Sequence, residues 1–298
     1  MKWTGWEKIP LSVPDPSVPA GTRTVDAIAP LIVSASRSTD IPALYGDWFM
    51  ARLAAGYAKW KSPFAANPLY VSFEKTRVFV FWSKNPAPFM PHLASLDRRG
   101  YGYYFLFTLN DYDAEGLEPG VPPVRERIET FIRLARTIGK SRVVWRFDPL
   151  VLSDRITVRD LLEKVKRIGD RIAPFTGRLV FSFVDIQKYA KVRRNLHAAE
   201  VAGAREFTDD EVDEFCAGLA ALNRKWCLSL SACAEGRDLS QFGITRGQCI
   251  SAGLMMQEFG NDRILMDFLR PQDRQTSGKI PAINDPFRRL KDPGQRKT

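Results

Sequence analysis

An arginine and an aspartate stand two apart in the run VVWRFDP, as Arg146 and Asp148. The residues before them are β-branched or aromatic, so the run reads as a strand, and on a strand two residues so spaced share a face. A guanidinium inside an apolar strand must meet a carboxylate, a phosphate or another anion, because an unpaired buried charge is very costly. The pair is therefore either a structural ion pair or part of a site for an anionic ligand. Lys84 and Asn85, in FWSKNPAP, stand where another apolar run hands over to a helix that Pro86 can begin. An ammonium beside a helix N-terminus suits an anion held by both. Arg37 and Asp40, Ser182 and Asp185, and Glu235 follow other apolar runs in the same way. A carboxylate so placed can cap a helix or act as a base, and the residues alone leave both readings open.

Cys233 ends an apolar run close to Glu235, and Cys249 follows in GITRGQCIS. Two thiolates make half of a tetrahedral iron or zinc environment. Cys216 and Cys227 fall in helix and strand patterns, where a thiol is a small buried hydrophobe. His92 and His197 are the only histidines, which excludes a histidine-rich metal site. A dinucleotide loop, a phosphate loop ending in Lys-Ser/Thr and a glycine-flanked serine elbow are all missing. In DIQKYAKVRRNL, Lys188, Lys191, Arg193 and Arg194 surround Tyr189. That pattern fits a solvated helix face, or a surface that tracks nucleic acid while one ring stacks on a base.

The elements that must carry these residues are six near-continuous apolar runs: Pro30 to Ser36, Arg77 to Trp82, Tyr103 to Leu109, Arg142 to Asp148, Arg178 to Asp185 and Trp226 to Cys233. Runs of this kind predict strands covered on both faces, and helix-length segments separate them, so a parallel sheet is expected. Repeats of this type without a dinucleotide fingerprint predict an α/β fold, a TIM-like (β/α) barrel or partial barrel, with a doubly wound open sheet as the alternative. Residues 1–29, rich in Pro, Gly and Thr, read as an N-terminal arm. Residues 30–270 read as the barrel-like domain and 271–298 as a basic, extended tail. The chain has 298 residues with 44 Lys+Arg against 34 Asp+Glu, a net charge of +10 that favours nucleic acids, nucleotides or other acidic partners. It has neither a signal-peptide pattern nor an apolar run long enough to span a bilayer, so a cytoplasmic protein without a membrane partner is expected.

The motifs SASRSTDIPALYGDWFMARLAAGY, FWSKNPAPFMPHL, GYYFLFTLNDYD, RVVWRFDPLVL, FSFVD and ACAEGRDLSQFGITRGQCI occur in an order that resembles the domain of unknown function 1848 family of bacterial proteins. The resemblance implies a radical S-adenosylmethionine (SAM) barrel with an altered chain order. In that family a segment similar to KDPGQRK is followed by a Cys-x-Cys pair and a Cys-x3-Cys-x2-Cys cluster that holds a [4Fe–4S] centre. On this expectation the cofactors, a [4Fe–4S] cluster and SAM, belong to a longer chain and none is held by residues 1–298. Arg37, Asp40, Lys84, Asn85, Arg146, Asp148 and Glu235 match family positions facing the pocket. Arg146, Lys84 and Ser182 are then expected to bind SAM or substrate, with Asp148, Asp185 and Glu235 orienting hydroxyl or amino groups. Cys233 and Cys249 would join the Cys-x-Cys pair in an auxiliary cluster. Ser38 and Ser251 depart from the basic and acidic residues expected at their positions.

Three functions are ranked in order: a radical SAM enzyme acting on nucleic acid or a nucleotide, a non-catalytic nucleic-acid-binding barrel, and a metal-independent hydrolase or isomerase with Asp148 or Glu235 as base.

Overall fold

The computed structural model describes residues 7–36, 39–60, 68–188, 190–198, 201–233, 235–248 and 250–276. A hairpin of β1 (Lys8–Pro14) and β2 (Thr22–Ile28) comes first, formed by the segment read as an arm. Next come β3 (Ile32–Ser34), the helices α1 (Ile41–Leu44) and α2 (Gly46–Ala55), and a second antiparallel pair, β4 (Tyr57–Trp60) and β5 (Leu69–Ser72). From here strands and helices alternate: β6 (Val78–Ser83), α3 (Leu93–Arg98), β7 (Gly102–Thr108), α4 (Val124–Ile138), β8 (Val143–Leu150), α5 (Val158–Ile172) and β9 (Arg178–Phe183). Helices α6 (Ala190–Ala198) and α7 (Asp209–Trp226), strands β10 (Ser229–Ala232) and β11 (Ile244–Arg246), and helices α8 (Ala252–Glu258) and α9 (Arg263–Thr276) complete the described elements.

Two sheets result. The small one has the order β1-β2-β5-β4 around Val13, Ala27 and Tyr70. The large one has seven strands in the order β3-β6-β7-β8-β9-β10-β11, every neighbouring pair parallel. Its strands follow chain order, so it has no point where the order reverses, as a doubly wound sheet would. Among the described residues no pairing joins β11 to β3, and the sheet is not a closed barrel.

Alternation along the strands divides their side chains between two faces. Phe79, Phe81, Tyr103, Phe105, Phe107, Trp145 and Phe181 face the outer core, which takes in α2 to α5 and α7. Val78, Val80, Tyr104, Leu106 and Val144 face inward, where Leu254 and Met255 of α8 and Leu265 and Leu269 of α9 cover them. Burial on both faces is why these strands read as continuous apolar runs. The alternation also puts Trp82, Arg146 and Ser182 on the inner face, near the carboxyl ends of their strands.

Three local readings change. Trp226 and Cys227, expected in the sixth strand, are instead the last residue of α7 and its left-handed cap, φ 55°. Trp226 packs into α5, so its bulk belongs to a helix contact, and Cys227 is exposed and not a buried hydrophobe. Strand β11, only three residues long, has no run to announce it. Helix α9 carries its backbone through Pro271 to Thr276, into the segment read as tail. Among the described residues no helix is long and apolar enough to cross a membrane.

Candidate functional site

The carboxyl ends of β3, β6, β7, β8 and β9 bring Asp40, Lys84, Arg146, Asp148 and Ser182 of the expected residues into one hydrogen-bonded network. At its centre Arg146 donates from Nη2 to Asp148 Oδ2, and Ser182 Oγ donates to Asp148 Oδ1. The strand register between β8 and β9 is irregular from Phe147 to Leu150, around a cis Asp148–Pro149 bond. Above the guanidinium lies the ring of Trp82, its centroid 4.4 Å from Arg146 Cζ, a cation–π distance. Trp82 Nε1 donates to Ser34 Oγ at 3.1 Å, which ties β6 to β3. Arg146 keeps 10% of its side chain exposed and Asp148 20%, so both reach solvent at the edge. Arg146 has further N–H groups, and each carboxylate oxygen a further lone pair, to offer a ligand.

A single carboxamide fixes the backbone at Asp148. Asn110, just beyond β7, donates to the Asp148 carbonyl at 3.1 Å and accepts from its N–H at 2.8 Å. Asn110 also donates to Glu118 at 3.1 Å. Glu118, almost fully buried, accepts from Lys84 Nζ and, at 3.0 Å, from Arg127 Nη1, so one carboxylate faces two cations. Arg127 lies wholly inside α4's packing face and reaches Asp113 at 2.8 Å with its other terminal nitrogen. Asp40 links the first two strand ends: it caps α1 by accepting from Ala43 N–H at 3.0 Å and accepts from Lys84 N–H at 2.7 Å. Burial pushes its carboxyl above 3.8, against the opposing pull of those N–H groups.

Not all expected residues join this network. Asn85 is engaged by the backbone, accepting from Ala87 N–H at 3.3 Å while its own N–H donates to Ser83 Oγ at 3.0 Å. Asp185 accepts from Lys188 N–H at 2.9 Å, and Glu235 from Arg237 N–H at 2.8 Å, so both close turns. They share a neighbouring depression of about 280 Å³ with Cys233, Glu206, Asp209 and Arg237, between the ends of β9 and β10 and the start of α7. Two of the expected nucleic-acid-facing cations are engaged locally: Arg193 donates to the Ile186 and Gln187 carbonyls at 3.3 and 3.2 Å, and Lys188 lies 3.5 Å from Asp185. Arg37, Tyr189 and Cys249 lie outside the described residues.

Of the thiols, Cys233 alone among the described residues lines this edge. Cys216 sits in the outer core, where burial pushes its thiol up to about 12. No group of three or more His, Cys, Asp or Glu is placed to hold a metal ion among the described residues. Glu118, Arg127, Trp82 and Ser34 were not foreseen. Trp82 had a signal, since it lies two before Lys84 on an apolar strand. Arg127 had none, because RERIETFIRLAR reads as a helix with a solvated charged face.

Fold and site together define a singly wound parallel α/β protein with a cluster of hydrogen-bonded polar side chains at the carboxyl edge of its sheet. The chain belongs to the family described as Domain of unknown function (DUF1848), whose model matches residues 32–296. No curated protein and no solved structure matches it.

Proposed function

We propose that the carboxyl edge of the parallel sheet is the SAM-binding pocket of a radical-type enzyme, completed by cluster ligands that the described residues do not supply. The observation that carries this reading is the inward-facing group of Arg146, Asp148 and Ser182 beneath Trp82. A guanidinium with spare N–H donors suits the carboxylate of an amino-acid moiety, and a fixed aspartate suits its ammonium or a ribose diol. These groups stand at strand ends, with Asn110 holding the Asp148 backbone on both sides. Lys84 and Asp40 stand at the same edge. Only Cys233 brings a thiol to this edge among the described residues, which is not a set of iron–sulfur ligands.

The test is an equilibrium titration of SAM against the intact protein, as purified and after anaerobic reconstitution with iron and sulfide. Saturable binding is expected, weakened at least tenfold by Arg146→Met and by Asp148→Asn, and little changed by Asp185→Asn. Absence of SAM binding to the reconstituted protein overturns the reading.

A further inference from the structure

The inner face of the sheet is not uniform. On β6, β7 and β8 it is apolar and covered by α8 and α9. Past Val180 of β9, which belongs to the same apolar cluster, the face turns polar at Arg178 and on β10 and β11 and opens into a separate pocket of about 120 Å³, whose lining includes Arg178, Ser229, Ser231, Thr245, Arg246 and Gln248. The register builds this patch: Ser229 pairs with Arg178, Ser231 with Val180, and Thr245 with Ser231. Arg178, Val180 and Ser182 alternate onto one face of β9, so Arg178 lies on the same side as the carboxyl-edge site but at the opposite end of the strand.

The charge of this pocket selects its ligand. No carboxylate is among its lining residues, whereas the depression at the carboxyl ends of β9 and β10 holds Asp185, Glu206, Asp209 and Glu235. Neither Arg178 nor Arg246 has an ion-pair partner among the described residues, while Arg127, Arg146, Arg167, Arg205 and Arg237 all do. Thr245 Oγ1 donates to the Leu230 carbonyl at 3.1 Å, which leaves the Ser229 and Ser231 hydroxyls beside an unneutralised guanidinium, a set suited to a tetrahedral oxyanion. A cavity of about 120 Å³ takes several water-sized groups, at ~10–15 Å³ for each, enough for a phosphoryl group and its ester oxygen.

We propose that this inner pocket binds the phosphate of a phosphomonoester. Arg178 and Ser182 are four residues apart, roughly 13 Å at ~3.3 Å per residue, so a molecule of nucleotide length with its phosphate at Arg178 would reach the carboxyl edge. That span rests on the function proposed above; the phosphate site itself does not.

The experiment is isothermal titration of the intact protein with inorganic phosphate and, separately, with a nucleoside 5′-monophosphate. Phosphate is expected to bind saturably, at least tenfold more weakly to Arg178→Met, with Arg178→Lys between the two and Arg146→Met within twofold of the unmodified protein. The monophosphate is expected to bind at least tenfold more tightly than phosphate; equal affinities would overturn the ester. Thermal melting of each variant checks that it folds, and if Arg178→Met does not, Arg178→Lys and Ser231→Ala are read in its place. No phosphate binding, or binding lost in Arg146→Met but kept in Arg178→Met, overturns the pocket. SAM binding lost in Arg146→Met and kept in Arg178→Met leaves the carboxyl-edge reading standing in either case.

Discussion

Asp40 shows how one side chain can serve structure and carry a measurable pH signature. Its two oxygens receive the N–H groups of Ala43 and Lys84, fixing the first strand end against the second. Desolvation nevertheless raises its pKa above 3.8, so the folded protein holds this proton more tightly than the unfolded chain does. For a raised carboxyl the contribution to stability is fully present below the unfolded value and is lost as pH rises through the folded one. Asn cannot titrate, and with one acceptor oxygen it satisfies only one of the two N–H groups. The stability of the unmodified protein relative to Asp40→Asn should therefore be greatest below pH 3.8 and shrink as the pH rises through the folded value, as urea unfolding of both proteins would show. A gap that widens with pH contradicts the burial of this carboxyl. Residues such as Asp40, Lys84, Arg146 and Asp148 were legible because a charge at the end of an apolar run is conspicuous. Glu118 was not, since what makes it important is the convergence of three strand ends, and spacing along the chain does not encode it.

At the scale of elements, the helices were legible from periodicity and caps, but the way they lock together was not. Thr157 and Asp160 form a capping box on α5, and Thr208 and Glu211 form one on α7; a threonine ahead of acidic residues already pointed to the second. The contact between these helices depends on two glycines. A Cβ at Gly169 of α5 would overlap the indole of Trp226, and one at Gly218 of α7 would overlap Leu162. Each glycine is thus a socket for a side chain of the other helix. Gly169→Ala would gain up to about 1 kcal/mol in helix propensity but force the large, rigid indole to move, a strain of about 1–3 kcal/mol. The expected outcome is a net loss of stability, with a red-shifted Trp fluorescence as the ring becomes more exposed; a more stable variant would show that the helices separate without cost. This packing is also why Trp226, apolar and next to a strand, was misread as its first residue.

At the scale of the molecule, a singly wound sheet needs its inner face closed by something other than the helices between its strands. Those helices all lie outside, so Val78, Val80, Leu106 and Val144 would face water without α8 and α9. The alternation of apolar runs and helices predicted the parallel sheet, yet the order of strands and the source of the inner cover are non-local and left no mark in the sequence. Leu265 and Leu269, one turn apart on α9, are fully buried against the strands, while Ile264 between helix and solvent is 56% exposed. Leu265→Ala would remove apolar contact and leave a cavity, costing about 2–4 kcal/mol. Ile264→Ala changes a larger-than-methyl side chain on the same turn and should cost less than about 1 kcal/mol, because little of its surface is withdrawn from water. Urea midpoints of the two variants, at unchanged slope, make the comparison within a single helix. Equal midpoints would mean that α9 is not the cover of the inner face. A selective loss at Leu265 would show that α9, through this side chain, closes the inner face over β6, β7 and β8.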